Sequence, residues 1–174
     1  MRLYYHRQAR SWERGERHVG WKVLPKLQAV AGLPVFVGIA FYIFKPEWMS
    51  WAAVSLPDAL RWTGAIAGFA GLALLVWVQR SLGKNFSPLL RIRSDQTLVT
   101  YGPYRWVRHP MYTTLLLLSA AFFLLTANGF IGGTLGLGIA LVMIVRTPFE
   151  EKMMIDRFGD EYRRYMERTG KFLP

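Results

Sequence analysis

The chain has no cysteine, which excludes a disulfide, a thiolate nucleophile and any cysteine-ligated metal. Histidine is almost as scarce. Only His6, His18 and His109 occur, and none stands in a His-x-x-His or Glu-x-x-His spacing, so the usual donor sets of a metal enzyme are missing. Acidic residues number eleven against twenty-two Lys and Arg, for a formal charge of +11 over 174 residues. No internal repeat or low-complexity segment occurs, which excludes a solenoid. Charge is also nearly absent from four long stretches, and that absence governs the fold.

A soluble protein with this excess of positive charge would point to nucleic acid. The placement of the charges argues against it. Seven basic residues precede the first apolar run (Arg2, Arg7, Arg10, Arg14, Arg17, Lys22, Lys26), six lie from Arg80 to Arg108, and seven from Arg146 to Lys171. Only Lys45 and Arg61 fall elsewhere. Alternate connections are therefore basic, the positive-inside pattern of four spans with both termini in the cytoplasm. The apolar content of 52% and a mean hydropathy of +0.18 agree with a small helical bundle. The reading is one integral-membrane domain over 1–174, with spans at about 27–44, 60–78, 110–127 and 130–146. It lies in the inner membrane among membrane lipids, with no nucleic-acid partner.

Residues 1–23 are basic and aromatic, and no small-residue cleavage site follows, so the first run is expected to stay as an anchor. Ser11 to Gly20 reads either as an interfacial helix or as a disordered basic tail. Pro34 should kink or break the first span. Gly64, Gly68 and Gly71 share a helical face suited to close packing. Gly83 is placed to cap the second helix. The polar stretch that follows contains two short extended pieces, Leu89–Arg93 and Gln96–Thr100, before a turn at Tyr101-Gly-Pro-Tyr104. Asn128-Gly129, an uncharged joint, makes the last two spans a tight hairpin. Beyond Arg146 the chain should leave the membrane as an amphipathic helix, with Gly159 as a break. Glu150-Glu151 reads either as a solvated pair at a helix start or as part of a site.

The chemistry gathers at Tyr101-Gly-Pro-Tyr-Arg-Trp-Val-Arg-His-Pro-Met-Tyr112, where a polar aromatic loop meets an apolar run. Pro110 suits a first helical position, and it pushes His109 out of the α region. The N–H groups of Met111, Tyr112 and Thr113 then point back toward Arg108 and His109, a ready anion site. An interfacial anchor would use the same residue types.

Thr97 to Tyr112 resembles the signature of the isoprenylcysteine carboxyl methyltransferase family, to which phospholipid methyltransferases are distantly related. Arg146-Thr-Pro-Phe-Glu-Glu-Lys-Met-Met-Ile-Asp-Arg-Phe-Gly-Asp-Glu-Tyr-Arg-Arg-Tyr165 is similar to that family's C-terminal motif. The resemblance covers roughly Arg80 to the C-terminus. It implies S-adenosylmethionine as cofactor, held in a pocket between the cytoplasmic loop and the folded-back C-terminal helix. It assigns cofactor contacts to Gln96, Thr97, Leu98, Val99, Tyr104, His109, Pro110, Met111, Tyr112 and Glu150. Arg146 takes a substrate-side role, with Arg108 as its partner, for an amphiphilic or lipid-like acceptor entering from the bilayer, a carboxylate being favoured. Methyl transfer needs alignment and desolvation rather than a metal or a covalent intermediate. The alternatives are methylation of a phospholipid amine or a small thiol, and, outside enzymes, a haem or quinone module using His109. Thr114 stands where the family usually has glycine.

Overall fold

The computed structural model describes residues 20–85 and 96–174. Within them the chain forms α1 (Gly20–Phe44), a 3₁₀ turn (Pro46–Ala52), α2 (Asp58–Leu82), short 3₁₀ turns at Gly83–Asn85 and Gly102–Arg105, α3 (Pro110–Thr126), α4 (Gly129–Phe158) and α5 (Asp160–Glu167). No strand occurs among the described residues. Isolated bridges join Ala53 to Asn128 and Val107 to Gly170.

Packing runs α2 on α3, α3 on α4 and α4 on α1. Glycine makes the approaches close. A Cβ on Gly64 would stand 2.6 Å from the Leu124 Cβ, and one on Gly132 would overlap the Phe123 side chain. The bundle's outer surface is apolar: Phe36, Phe44, Trp62, Ile66, Phe69, Leu137 and Ile144 are all exposed. Such a band is out of place in water and suits lipid. Helices α2 and α4 are long and apolar enough to cross a membrane, while Gly32–Phe44 and Pro110–Thr126 are shorter apolar segments.

The α3–α4 joint is as tight as the sequence suggests. Ala127, rather than Gly129, takes the left-handed conformation (φ 47°). Asn128 caps α4 by accepting from the Ile131 N–H at 3.1 Å, and its Nδ2 donates to the Met49 carbonyl at 3.1 Å. Gly83 and Gly159 end α2 and α4 with φ of 50° and 56°.

Two helices run on where the sequence reading expects an edge or a break. Helix α1 begins well before Leu27 and runs without a break through Pro34. The fourth span and the amphipathic segment are one helix of 30 residues, uninterrupted at Arg146 and at Pro148. Hydropathy changes at Arg146, but nothing there caps the backbone, and Pro148 removes only one i→i−4 bond. Glu150 and Glu151 therefore lie inside α4, not at a helix start. The interfacial helix weighed for 11–19 and the extended piece at 89–93 lie outside the described residues.

Candidate active site

The loop before α3 is anchored on the end of α2. Thr97 exchanges bonds with the Asn85 side chain (Thr97 N to Oδ1 3.0 Å, Asn85 Nδ2 to Thr97 Oγ1 3.2 Å). Val99 and Tyr104 pack with Val78 in a buried cluster flanked by Leu74, Leu82 and Met111. Gly102 turns the chain with φ 62°. Trp106 meets Trp77 edge-on at 6.1 Å, under the Arg105 guanidinium. Pro110 opens α3 and is buried. His109 before it sits at φ −123°, ψ 56°, outside the α region. The Tyr112 N–H is taken by the His109 carbonyl at 3.2 Å, so that donor is not free at the helix start.

Four segments converge here: residues 106–109, the first turn of α3, α4 from Arg146 to Glu151, and the C-terminal residues 166–172. Arg146 Nε lies 2.6 Å from Glu150 Oε1, one turn away on α4. The Tyr112 hydroxyl lies 3.3 Å from both Glu150 oxygens. His109 stands between the two acids, with Nδ1 3.6 Å from Glu150 Oε2 and Nε2 3.3 Å from Glu151 Oε1. Its ring also lies near those of Tyr112 and Phe172. Glu151 Oε1 further accepts from Arg108 Nε at 3.2 Å, and its Oε2 meets Lys171 Nζ at 3.1 Å.

The C-terminal residues are laid alongside the loop. Arg108 N–H donates to the Gly170 carbonyl (2.9 Å), His109 N–H to Lys171 (3.1 Å), and Gly170 N–H to Trp106 (2.9 Å). Arg108 Nη1 donates to the carbonyls of Met166, at 2.8 Å, and Thr169. The Thr113 hydroxyl donates to Phe172 at 2.6 Å, and Tyr165 donates to the Tyr104 carbonyl at 2.6 Å.

Burial sets the proton affinities. His109 is held below its ordinary value because desolvation outweighs the pull of Glu150 and Glu151. Burial pushes Glu151 up, but Lys171, His109 and Arg108 together hold it below the usual carboxylate range. Desolvation raises the Tyr104 and Tyr162 phenols, and pushes Tyr165 up to about 12. At neutral pH the cluster thus holds an ionised Glu151 beside a neutral imidazole. Such a set can bind a polar, zwitterionic ligand and hold an anion beside a guanidinium.

Of the residues read from the sequence, Arg108, His109, Tyr112, Arg146 and Glu150 come together in this cluster. Val99, Tyr104 and Met111 pack in or against the apolar cluster beneath it, Pro110 starts α3, and Thr97 is tied to Asn85; Gln96 and Leu98 are half-buried. Lys171, Phe172 and the contact made by Tyr165 escaped sequence reasoning. Only the acidic doublet itself signalled Glu151. Both ring nitrogens of His109 face carboxylates, which removes the observation behind the haem alternative.

An all-helical bundle with an apolar exterior and an ionic pocket at the loop end of its helices is the layout of an integral-membrane protein. Residues 65–156, more than half of the chain, match the isoprenylcysteine carboxyl methyltransferase (ICMT) family, and the chain belongs to that family. It is 31% identical over 133 residues to the protein-S-isoprenylcysteine O-methyltransferase of Homo sapiens, covering 75% of this chain and 47% of that protein. Against protein-S-isoprenylcysteine O-methyltransferase B of Arabidopsis thaliana it is 24% identical over 144 residues, covering 71% and 73%. The fold matches a solved eukaryotic intramembrane Ras methyltransferase, ICMT, with a TM-score of 0.64 and 25% identity, over 84% of this chain and 51% of that one. The chain thus spans about half the length of its mammalian relatives and of the solved protein.

Proposed function

We propose that this chain is an S-adenosylmethionine-dependent methyltransferase that esterifies a carboxylate on an amphiphilic acceptor at the cytoplasmic face of the inner membrane. In this reading it is one domain of four spans, α1 to α4, with both termini cytoplasmic. The observation that carries it is the Arg146–Glu150–His109–Tyr112 cluster, placed where two apolar helices meet the polar loop.

The donor set fits the cofactor. Glu150 Oε2 is not hydrogen-bonded by His109 at 3.6 Å and keeps acceptor capacity for a hydroxyl or ammonium group. Tyr112 and Phe172 supply aromatic walls beside His109. The family resemblance assigns the remaining cofactor contacts to Gln96 to Val99, Tyr104 and His109 to Tyr112. When bound, the sulfonium supplies an electrophilic methyl group. A carboxylate acceptor is already ionised at neutral pH, so the chain has only to orient it and strip its water. Arg146, with a planar fork of donors, is the residue for that task. Arg108 lies behind it, gripping Glu151 and the C-terminal residues. An apolar groove of about 310 Å³ between α2, α3 and α4, lined by Leu72, Leu115, Leu118, Phe122, Leu135 and Ile139, suits the acceptor's hydrocarbon.

Titration calorimetry with S-adenosylhomocysteine, the demethylated product, tests the cofactor half. Glu150→Gln should bind about tenfold more weakly than wild type, and equal affinities would remove Glu150 from the site. Labelled methyl transfer to an isoprenylated cysteine carboxylate tests the acceptor half. Label appearing instead on a phospholipid amine would replace this reading.

A further inference from the structure

Glu151 ties three segments together, yet it has no role in the reading above. It reaches the loop through Arg108, the start of α3 through His109, and the C-terminal segment through Lys171. The two acids treat His109 differently. On the Glu151 side the Nε2–Oε1 separation of 3.3 Å is a hydrogen bond. On the Glu150 side the Nδ1–Oε2 separation of 3.6 Å is too long for one. Glu150 meanwhile has donors of its own in Arg146 and Tyr112.

We propose that Glu151 is a positioning residue that fixes His109 as a neutral imidazole protonated on Nε2, so that bare Nδ1 stands beside Glu150 Oε2 as a second acceptor for a ligand's ammonium or hydroxyl group. The proposal rests on the methyltransferase reading for the identity of that ligand, but not for the state of His109.

The groups facing the ring agree. From α4 come Glu150 and Glu151, from the C-terminal segment Lys171, from α3 Tyr112, and behind them Arg108 and Arg146. Each carboxylate already has a cationic partner, so a proton added to the ring has no unneutralised charge to meet. The side chain is only 10% exposed, and burial opposes the imidazolium. With one proton on the ring, the shorter contact claims it. Two acceptors are left facing each other across 3.6 Å, an unfavourable pairing that a donor inserted between them relieves. A residue at 151 unable to accept from Nε2 would let the proton move to Nδ1, where Glu150 would take it. The acceptor pair would then be lost without any change at His109 or Glu150.

With three histidines in the chain, ¹⁵N-histidine labelling in nanodiscs isolates His109 by difference against His109→Gln. At pH 7 wild type should show Nε2 protonated and Nδ1 unprotonated, and S-adenosylhomocysteine should shift Nδ1. Glu151→Gln keeps an acceptor oxygen and should keep this tautomer. Lys171→Met should keep it too. Glu151→Leu should move the proton toward Nδ1 and weaken S-adenosylhomocysteine binding about tenfold, with Glu151→Gln losing much less. A doubly protonated or Nδ1-protonated ring in wild type would overturn the proposal whether or not the leucine variant folds, as would an unchanged tautomer in a folded Glu151→Leu. Failure of wild type to bind S-adenosylhomocysteine, with the Nε2 tautomer intact, would instead refute the methyltransferase reading alone.

Discussion

Arg108→Lys should loosen the C-terminal segment while leaving the helical bundle in place. The guanidinium donates to Glu151 Oε1 and, from Nη1, to the carbonyls of Met166 and Thr169, with its side chain 11% exposed. Lysine keeps the charge and can still meet Glu151, but an ammonium cannot reproduce the planar fork. At least one carbonyl then lacks its donor. A hydrogen bond from a charged group contributes about 1.5–3 kcal/mol, and an unsatisfied buried carbonyl costs a similar amount. The opening free energy of the pairing between 106–109 and 169–172 should fall by about that much. At 1.36 kcal/mol per factor of ten, exchange of the paired amides should speed up roughly 10- to 100-fold. Hydrogen exchange read by mass spectrometry on peptides covering 106–109 and 166–174 measures this directly. Peptides from the middle of α3 should not change. Unaltered exchange at the Arg108, His109 and Gly170 amides would refute the assignment of Arg108 as the clasp. A variant that instead lost only acceptor turnover would return Arg108 to the substrate side.

A methyl group at Gly64 would stand 2.6 Å from the Leu124 Cβ, so Gly64→Ala should lower stability by about 1–3 kcal/mol, whereas Gly133→Ala, with nothing within 4 Å, should be close to neutral; detergent-phase thermal melts of the pair decide. Acid should destabilise the protein in two stages, because the folded-state values of His109 and Glu151 both lie below their ordinary ones. The neutral ring of His109 costs nothing above about pH 6.5 and an increasing amount below it. The Glu151 contribution is complete above about pH 4.5 and is lost as pH falls through its lower folded value. Melting temperatures that rise from pH 7 to pH 5 would contradict the His109 sign, and ones that rise as pH falls from 5 to 3 would contradict the Glu151 sign. Arg146→Lys should lose turnover while binding S-adenosylhomocysteine nearly as wild type does, and an equal loss of both would move Arg146 into the cofactor's contacts.

Much of this architecture was legible because it rests on local backbone rules. Pro110 announces the start of α3, since a proline N has no hydrogen to waste there and its ring forbids helix at His109. Gly83 and Gly159 announce helix ends because each adopts a positive φ. The spacing of Gly64 and Gly71 reports a contact face that the structure fills with Leu124 and Leu118. The continuity of α4 through Arg146 was not legible, because polarity and helix termination are separate properties. The C-terminal segment was illegible for another reason. Arg108 and Met166 are 58 positions apart, and such pairings leave no periodic mark on the sequence. The sequence reading accordingly gave Arg108 a substrate-side role and could not show the backbone carbonyls it meets. Glu151 was read only as half of an acidic doublet, because adjacent acids on a helix point in different directions and only the folded chain shows what each one meets.

The unbroken α4 also acts as a lever. One end is bolted at Asn128, whose side chain caps the helix and holds the Met49 carbonyl of the opposite connection. The other end carries Arg146, Glu150 and Glu151. From Asn128 to Glu150 a straight helix measures about 33 Å, so a tilt of about 5° at the bolt swings the carboxylates by about 3 Å. That is the whole width of a hydrogen bond. The alignment of the ionic pocket on one side of the bundle is therefore sensitive to the asparagine clamp on the other.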